Sequence, residues 1–449
     1  MDKDNTIQLE DAMSPYATPF VVNRDLERRI LWKVDMRLIP PPIYYVYSEL
    51  IGNAKEAGMG KDLDLSSSDY SLAVSIFFIG YLLLEVPSNM ILSRTRPSLY
   101  LPILMIIWGG MVICYVGVNS KKGLIGLRFC LGLIEAGFFP GVLLFMSNWY
   151  RKSELARRFS IFYCASLISG AVGGLIAGGD IERHATSSAI SSVEMVVLEF
   201  VLPDFPATTK WLTPEEREYA VRRLEEEDNS SRTGNISHWQ SFLSAIHDWR
   251  TWLFLAAQTF CTCAGTITYF IPTLMASLNY TGQDVQYMTI PIYMVAFVIV
   301  LLCGFSSDYF NERPKHIMAL ATMSTISLII VATIHNPKTR YAFLAFGVSG
   351  IWGCSPLVLS YLSNTISRPA EKRAVAIAFV NAFANLSSVY GSYIWPSSTA
   401  PAYVPGFTVT IVLMFASIVT AFLLMVLTKD HPHENAEDRG TEIESETAR

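Results

Sequence analysis

Residues 126–141, GLRFCLGLIEAGFFPG, place an arginine and a glutamate inside a long run of apolar side chains. At 100° per residue, Arg128, Gly132, Glu135 and Phe139 fall within about 60° of one another on one stripe of a helix. A charged side chain near the centre of a bilayer costs roughly 2.5–3.5 kcal/mol on insertion scales, so this stripe is expected to avoid lipid. The stretch therefore predicts a membrane-spanning helix whose two charges face a polar cavity or partner groups.

The composition of the whole chain agrees with a polytopic membrane protein. Of the 449 residues, 51% are hydrophobic and only 16% are charged, and the mean hydropathy is +0.34. These values are typical of a membrane-embedded chain. A crossing helix needs about 20 apolar residues. Stretches of that kind recur at 71–92, 99–118, 123–149, 159–178, 251–278, 286–307, 316–334, 341–363, 374–395 and 406–427.

Two shorter apolar segments, 38–51 and 189–202, are predicted to be further crossings because of the distribution of basic residues. With twelve crossings and a cytosolic N-terminus, the clusters at 94–96, 151–158 and 368–373 lie on the inner side. The outer side then holds few basic residues, as the positive-inside rule requires. These are Lys55, Lys61, Lys121, Lys122, Arg183, Lys338 and Arg340.

The chain divides into two halves that repeat each other. Pro97 and Pro314 are separated by 217 positions, and Glu154 and Glu371 by the same number. Parallel duplication is typical of transporters whose halves move about a central site. We predict an all-α membrane protein with two pseudo-repeated six-helix bundles. The expected parts are a cytosolic tail (1–37), a bundle (38–202), a cytosolic linker with an amphipathic helix (203–250), a second bundle (251–428) and a cytosolic tail (429–449).

The two charges of the opening stretch suit the chemistry of anion transport. Arg128 offers a planar fork that matches a carboxylate, and Glu135 in a cavity of low dielectric constant is suited to taking up and releasing a proton. They lie about 10 Å apart along the helix, too far for a simple direct pair. The alternative interpretation is a buried tether, in which either group pairs with another helix to hold the fold.

Other polar residues are weaker candidates. Gln258, Thr262 and Tyr269 line one side of the seventh predicted span, Asn381 and Asn385 line one side of the eleventh, and Tyr81 lies in the second. Such side chains bind substrates, but they also join helices to one another in membranes. A second group is predicted to act in gating at the inner surface, with Glu85 near loop arginines. It comprises Glu85, Gly304, Asp308 and Arg313.

Several stretches resemble a known family. The segments RFCLGLIEAGFFPGV (128–142), SNWYRKSELARR (147–158) and KRAVAIAFVNAFANLSSVYGSYIWPSSTAPAYVPGF (372–407) are similar to the anion:cation symporter family of the major facilitator superfamily. Within it they resemble the fungal permeases for nicotinate, allantoate and related organic anions.

The resemblance implies uptake of a small organic anion, driven by a proton gradient and by alternating access, at the plasma membrane, with both termini in the cytosol. It also implies that Arg128 binds the anion, that Glu135 carries the proton, and that Gly304, Asp308 and Arg313 form the second-half gating motif. We expect a monomer without metal, cofactor or nucleic-acid partner, and not an enzyme, because the chain has no phosphate loop, metal cluster or nucleophile elbow.

Two departures from the family pattern leave an alternative open. Members usually carry an Asp-Arg pair before the Ile-Gly-Asn-Ala motif, where this chain has Ser48, Glu49 and Leu50, and the sixth predicted span contains Glu194 and Glu199. Both segments are short, which suggests lost sequence. The alternative is therefore a transport-defective or sensor-like paralogue on the same scaffold, although short polar tails disfavour a sensor.

Overall fold

The computed structural model describes residues 23–38, 59–92, 95–138, 206–209, 211–231, 238–310, 312–334, 336–366 and 370–429, with single positions or pairs between 142 and 171. Within these residues the regular structure is entirely helical, which confirms the predicted fold class. Apart from Leu38, which ends α1, the weak predicted segments 38–51 and 189–202 lie outside the described residues, as does most of the span 159–178.

The first half and the linker contribute six of the helices described. A short helical turn, Gly60–Asp62, precedes the second of them. In chain order they are α1 (Arg24–Leu38), α2 (Ser67–Leu92), α3 (Pro97–Cys114), α4 (Lys121–Glu135), α5 (Pro214–Ser231) and α6 (His238–His247).

The second half is described almost without interruption. Its helix α7 continues through a 3-10 turn, Thr266–Phe270, into the short helix α8. The elements are α7 (Trp249–Gly265), α8 (Ile271–Ser277), α9 (Gln283–Tyr287), α10 (Thr289–Phe310), α11 (Arg313–Thr333), α12 (Pro337–Thr365), α13 (Ala370–Asn385), α14 (Ser387–Gly391) and α15 (Val404–Lys429).

Seven of the helical segments described are long and apolar enough to cross a membrane. Each coincides with one of the predicted spans, and a shorter apolar helix, Ser98–Cys114, falls in the predicted span 99–118. The chain is therefore a multi-pass membrane protein. The seven segments are Ser67–Glu85, Trp249–Ser277, Gln283–Ser307, Arg313–Thr333, Pro337–Thr365, Val375–Ile394 and Val404–Thr428.

Local sequence explains where several of these helices begin. Ser120 accepts a hydrogen bond from the backbone N–H of Gly123 at the start of α4. Asn336 caps α12 in the same way and is followed by Pro337. A side-chain acceptor at the cap satisfies a backbone donor that the helix leaves open, and proline in the first turn costs no hydrogen bond.

Helices α2 and α4 approach each other so closely that only glycine fits between them. A Cβ atom at Gly132 would overlap the backbone carbonyl oxygen of Phe77, and one at Gly80 would overlap that of Phe129. Small residues at such a crossing let two backbones meet, which is a main source of helix association in membranes. The contact turns the stripe of α4 that carries Arg128 towards α2.

The two halves meet along α2 at the end that is predicted to face outwards. The Ser71 hydroxyl donates to the Ser392 carbonyl oxygen at 2.9 Å, and the Ser75 hydroxyl donates to that of Val389 at 2.7 Å. The Tyr70 hydroxyl donates to the carbonyl oxygen of Tyr269 at 2.8 Å. Helix α2 of the first half thus packs against both the α7–α8 turn and α14 of the second half.

The linker helix α5 is present where the sequence predicts it, but its buried face is charged. Arg223 is 1% exposed and donates to the Trp149 carbonyl oxygen at 2.9 Å, while Glu216 pairs with Lys33 of α1 at 2.6 Å. The helix therefore packs against α1 through ion pairs as well as through Tyr219 and Ala220, which belong to the same core cluster as Ile30 and Val34. Helix α6 instead packs against α13, so the linker contacts both halves.

A buried carboxylate joins two helices of the second half. Asp248, which caps α7, accepts hydrogen bonds from Arg250 Nη2 at 2.9 Å and from Lys372 Nζ, close to the start of α13, at 2.8 Å. Burial alone would raise the pKa of Asp248, but the hydrogen bonds from Arg250 and Lys372 outweigh it and lower the pKa below its ordinary value. The ionised carboxylate is therefore part of the folded structure.

We predict that Gly132→Ala destabilises the protein by roughly 1–3 kcal/mol, because the added methyl group forces α2 and α4 apart. The measurement is the thermal unfolding midpoint of the purified protein in detergent. Gly126→Ala is the matched control, since Gly126 lies on the same helix and has no atom within 4 Å of the added methyl group. Equal midpoints for the two variants would contradict the close contact.

We predict that Asp248→Asn lowers the stability at neutral pH by roughly 1–3 kcal/mol, because two cations lose their charged acceptor. The pKa of Asp248 is lower in the folded protein than in the unfolded chain, so its stabilisation is present above the unfolded pKa of about 3.9 and is lost as the pH falls below it. Thermal midpoints of the natural and variant proteins should converge in acid. A constant difference from pH 7 to pH 3 would contradict this assignment.

Candidate functional site

Arg128 and Glu135 are both buried on one face of α4. Arg128 is 5% exposed and Glu135 is 2% exposed, although they belong to a helix that carries an exposed lysine, Lys122, at its start. The same face includes Leu124, Leu131 and Gly132, and Gly132 is the residue in closest contact with α2. Neither charged side chain faces lipid, as the helical stripe predicts.

An aromatic ring covers the arginine. The guanidinium carbon of Arg128 lies 5.5 Å from the ring centroid of Tyr115, in the 3-10 turn that ends α3. A cation over the face of an aromatic ring is stabilised by the electrons of the ring, and more strongly where water is absent. Tyr115 holds Arg128 in place without neutralising its charge. Sequence reasoning missed this residue, because a single tyrosine in the run ICYVG has no helical spacing that connects it with α4.

On α2, Tyr81 lies close to two carboxyl groups. Its side chain is 7% exposed, and it experiences the charges of both Glu85, one turn further along α2, and Glu135 of α4. The ring of Phe77 packs against it with 6.2 Å between centroids. The structure therefore brings together three predicted residues, Tyr81, Glu85 and Glu135, at the contact between α2 and α4.

Glu85 connects this group with the other half of the molecule. It is 6% exposed, and the side chain of Asn381 on α13 interacts with its carboxyl group. Among the described residues, its Oε2 atom has no hydrogen-bond partner. The sequence predicts contacts with loop arginines, whereas the described partner is an asparagine of the second bundle. A buried carboxyl group with an open oxygen is an uncommon arrangement that needs an explanation.

In the second half, Gln258 of α7 is 2% exposed and donates from Nε2 to the Ser355 hydroxyl of α12 at 2.6 Å. Nearby, the indole N–H of Trp352 donates to Thr268 at 2.9 Å. Gln258 was predicted from its stripe on α7. Ser355 and Trp352 were missed, because they lie on a helix whose apolar pattern hides them.

The remaining predicted residues of the second half differ from Gln258 in their contacts and burial. Tyr269 packs edge-on against Phe78 of α2 with 6.0 Å between ring centroids, so it lies between the two halves. Thr262 and Asn385 are half-buried. Ser392, which the sequence places on the same stripe as Asn381, belongs to the contact with Ser71 and thus joins helices.

The predicted gating motif of the second half occupies the connection between two helices. Gly304 and Asp308 lie in the last turns of α10, and Arg313 begins α11. The side chain of Asp308 lies outside the described residues. Arg313 is half-buried, and in the same connection Ser306 is 3.0 Å from Nε2 of His316.

Together these groups form a polar centre between the halves. From the first half, Tyr81 lies close to the carboxyl groups of Glu85 and Glu135, and Glu85 lies close to the amide of Asn381 in the second half. Among the described residues, no group of three or more histidine, cysteine, aspartate or glutamate side chains is arranged to hold a metal ion. The groups present are suited to binding an anion and moving a proton.

Two helical bundles with a polar centre between them are the architecture of a membrane transporter. The model of the Major Facilitator Superfamily matches residues 43–392, and the chain belongs to that superfamily. Its relatives are transporters, and it is not an enzyme.

Named relatives and a solved structure agree with this family and with this fold. The chain is 33% identical over 393 residues to the MFS transporter prlL of a fungal species (strain NRRL 50135), with 81% of this chain and 79% of that protein covered. It is 28% identical over 431 residues to the "Putative tartrate transporter" of Agrobacterium vitis, covering 92% and 97%. The xylose transporter XylE from E. coli, in a partially occluded inward-open conformation, has a TM-score of 0.67 at 14% identity, covering 88% and 97%.

Proposed function

We propose that this protein is a proton-coupled symporter of a small organic anion and a member of the anion:cation symporter family. The observation that carries the proposal is the burial of Arg128 and Glu135 on one face of α4. Charges in such a place are costly and are retained mainly where they act on a substrate or an ion. An arginine suits a substrate that carries a negative charge, and a glutamate suits a proton as the co-transported ion.

Arg128 is the group proposed to bind the anion. Its guanidinium is permanently charged and presents two parallel N–H donors, which match the two oxygens of a carboxylate. Tyr115 keeps the cation oriented without adding a negative charge. Gln258, Thr262, Tyr269, Asn381 and Asn385 supply polar contacts from the second half. The relative named "Putative tartrate transporter" supports a carboxylate as substrate, and nicotinate and allantoate fit the same description.

Glu135 is the group proposed to carry the proton. When it is ionised, it holds a negative charge in a buried place seven residues from Arg128 on the same helix, a separation of about 10 Å. A proton on Glu135 removes that charge, which lowers the cost of admitting an anion and of closing the site around it. The driving force is then the proton gradient, and no cofactor takes part.

Alternating access requires contacts between the halves that form and break. The hydroxyl contacts of Ser71 and Ser75 close the end of α2 that is predicted to face outwards. Glu85 and Asn381 approach each other from the two halves further along α2, which supports the gating role of Glu85. We propose the same gating role for Gly304, Asp308 and Arg313, and a monomer in the plasma membrane with both termini in the cytosol.

The direct test is uptake into proteoliposomes that contain the purified chain, with radiolabelled nicotinate, allantoate and tartrate and an imposed pH gradient. Arg128→Gln should weaken anion binding by about 10-fold or more, the loss expected for a hydrogen bond to a charged group. Lys122→Gln is the matched control, because Lys122 is exposed on the same helix. Unchanged binding in Arg128→Gln would exclude Arg128 from the anion site.

Glu135→Gln should separate exchange from accumulation. The variant is permanently neutral at this position, so anion exchange across the membrane continues, whereas accumulation driven by the pH gradient is lost. Glu215→Gln, at an exposed position of α5, is the control. Accumulation that still follows the pH gradient in Glu135→Gln would assign the proton to another group. A natural protein that binds the anion but transports none would favour the transport-defective paralogue.

Glu85→Gln should change the rate of anion exchange several-fold while leaving equilibrium binding unchanged, because Glu85 contacts the other half rather than the anion. Coupling energies of about 0.5–3 kcal/mol are typical of residues in contact. A double-mutant cycle with Asn381→Ala measures the coupling. Phe383→Leu, on the exposed side of α13, is the control variant. Additive effects of Glu85→Gln and Asn381→Ala would show that the two residues act independently.

A further inference from the structure

We propose that α1 is a docking element for anionic phospholipids of the inner leaflet. Its basic face, defined as Arg24, Arg28, Arg29, Trp32 and Met36, is exposed along the helix. These residues fall within about 140° around the helix axis at 100° per residue. They combine cationic groups with an aromatic and an apolar side chain, which is the composition of helices that lie in the interface of a membrane.

The opposite face of α1 fixes its orientation. Ile30 and Val34 are each 1% exposed and form part of the core of the first half. On either side of them, Lys33 pairs with Glu216 of α5 at 2.6 Å, and Glu27 pairs with Arg223 of the same helix at 3.4 Å. The helix therefore cannot rotate to bury Trp32 without losing these contacts.

A second set of contacts ties α1 to the chain that follows α4. Asp35 accepts hydrogen bonds from Arg158 at 2.6 Å through Nε and at 3.0 Å through Nη2. The Tyr150 hydroxyl donates to the same carboxylate at 2.7 Å, and the Arg158 guanidinium lies 4.3 Å from the ring centroid of Tyr150. Positions 150 and 158 belong to a segment rich in basic residues that is predicted to lie at the inner surface, so α1 lies there too.

The exposed groups themselves indicate a lipid partner. Trp32 is 66% exposed and Met36 is 58% exposed. Both lie shortly before the predicted crossing segment that begins at residue 38, and tryptophan is enriched at this level of a membrane. Arg24, Arg28 and Arg29 add three positive charges, and Asp25 on the same side removes one, which leaves a net positive face. Basic residues next to a membrane segment are attracted to the anionic lipids of the cytoplasmic leaflet.

The experiment uses the full chain in nanodiscs of phosphatidylcholine and phosphatidylserine, in which either lipid carries bromine on its acyl chains. Bromine quenches nearby tryptophan fluorescence. The contribution of Trp32 is the difference between the natural protein and Trp32→Phe. We expect brominated phosphatidylserine to quench this contribution at least about two-fold more than brominated phosphatidylcholine at the same mole fraction. The preference should shrink in 0.5 M salt, because salt screens exposed charges within a few ångström.

The variant Arg28→Gln/Arg29→Gln tests the charge. It should remove the preference for phosphatidylserine, while the thermal midpoint stays unchanged because both arginines are exposed. Trp252 is the matched control. It is 49% exposed near the start of α7, and its contribution, measured with Trp252→Phe, should be quenched equally by both lipids.

Three outcomes would overturn the proposal. Equal quenching of Trp32 by the two brominated lipids would show apolar contact without recognition of the headgroup. No quenching by either lipid would show that the basic face lies in water. Trp32 emission that is insensitive to lipid but shifts with protein concentration in detergent would identify a second copy of the chain as the partner.

Discussion

The close crossing of α2 and α4 is the constraint on which the site depends. Gly80 and Gly132 bring the two backbones into contact, and this contact withdraws the charged stripe of α4 from lipid. An arginine and a glutamate on a lipid-facing helix would each oppose insertion. Against α2, Glu135 instead lies next to Tyr81, and Arg128 lies under the ring of Tyr115. Two glycines thus make it possible to retain two charges.

The contacts within each half differ in kind from those between the halves. Inside the halves, buried or half-buried ion pairs hold separate segments together, as Asp35 does with Arg158 and Asp248 with Lys372. Among the described residues, several hydrogen bonds between the halves come instead from neutral hydroxyl groups, those of Tyr70, Ser71 and Ser75. A neutral hydrogen bond contributes only about 0.5–1.5 kcal/mol net, since water replaces the lost partner when the contact opens. Strong ties within halves and weak ties between them are what rocking of rigid bundles requires.

Hydropathy and helical spacing predicted much of this structure, for reasons that are local. A run of about 20 apolar residues suffices to indicate a span, and the 3.6-residue period puts Arg128 and Glu135 on one face before any partner is known. The same period identified Gln258. Spacing along one helix contains no information on which other helix lies opposite, so Tyr115, Ser355 and Trp352 were missed.

The buried charges of α5 also show that local sequence does not identify partners that are distant in the chain. The start of that helix was predicted from Thr213 and Pro214, since capping is local. The sequence predicts an amphipathic helix at the inner surface, but it does not indicate that Glu216 and Arg223 are buried, because their partners are distant in the chain. Those partners, Lys33 and Glu27, are more than 180 residues away. Only the folded chain reveals that these four charges neutralise one another.

The position of Glu85 suggests how the proton and the conformational change are connected. Glu135 and Glu85 lie on different helices of the first half, and Tyr81 experiences the charge of both. Asn381, on the second half, interacts with Glu85. An asparagine amide can donate to an ionised carboxylate and can accept from a protonated one. Its contact with Glu85 can therefore persist in either protonation state, although its strength differs, because hydrogen bonds to charged acceptors are roughly twice as strong. In the proposed mechanism, a change of charge near Tyr81 would thereby reach a contact between the halves through neighbouring side chains.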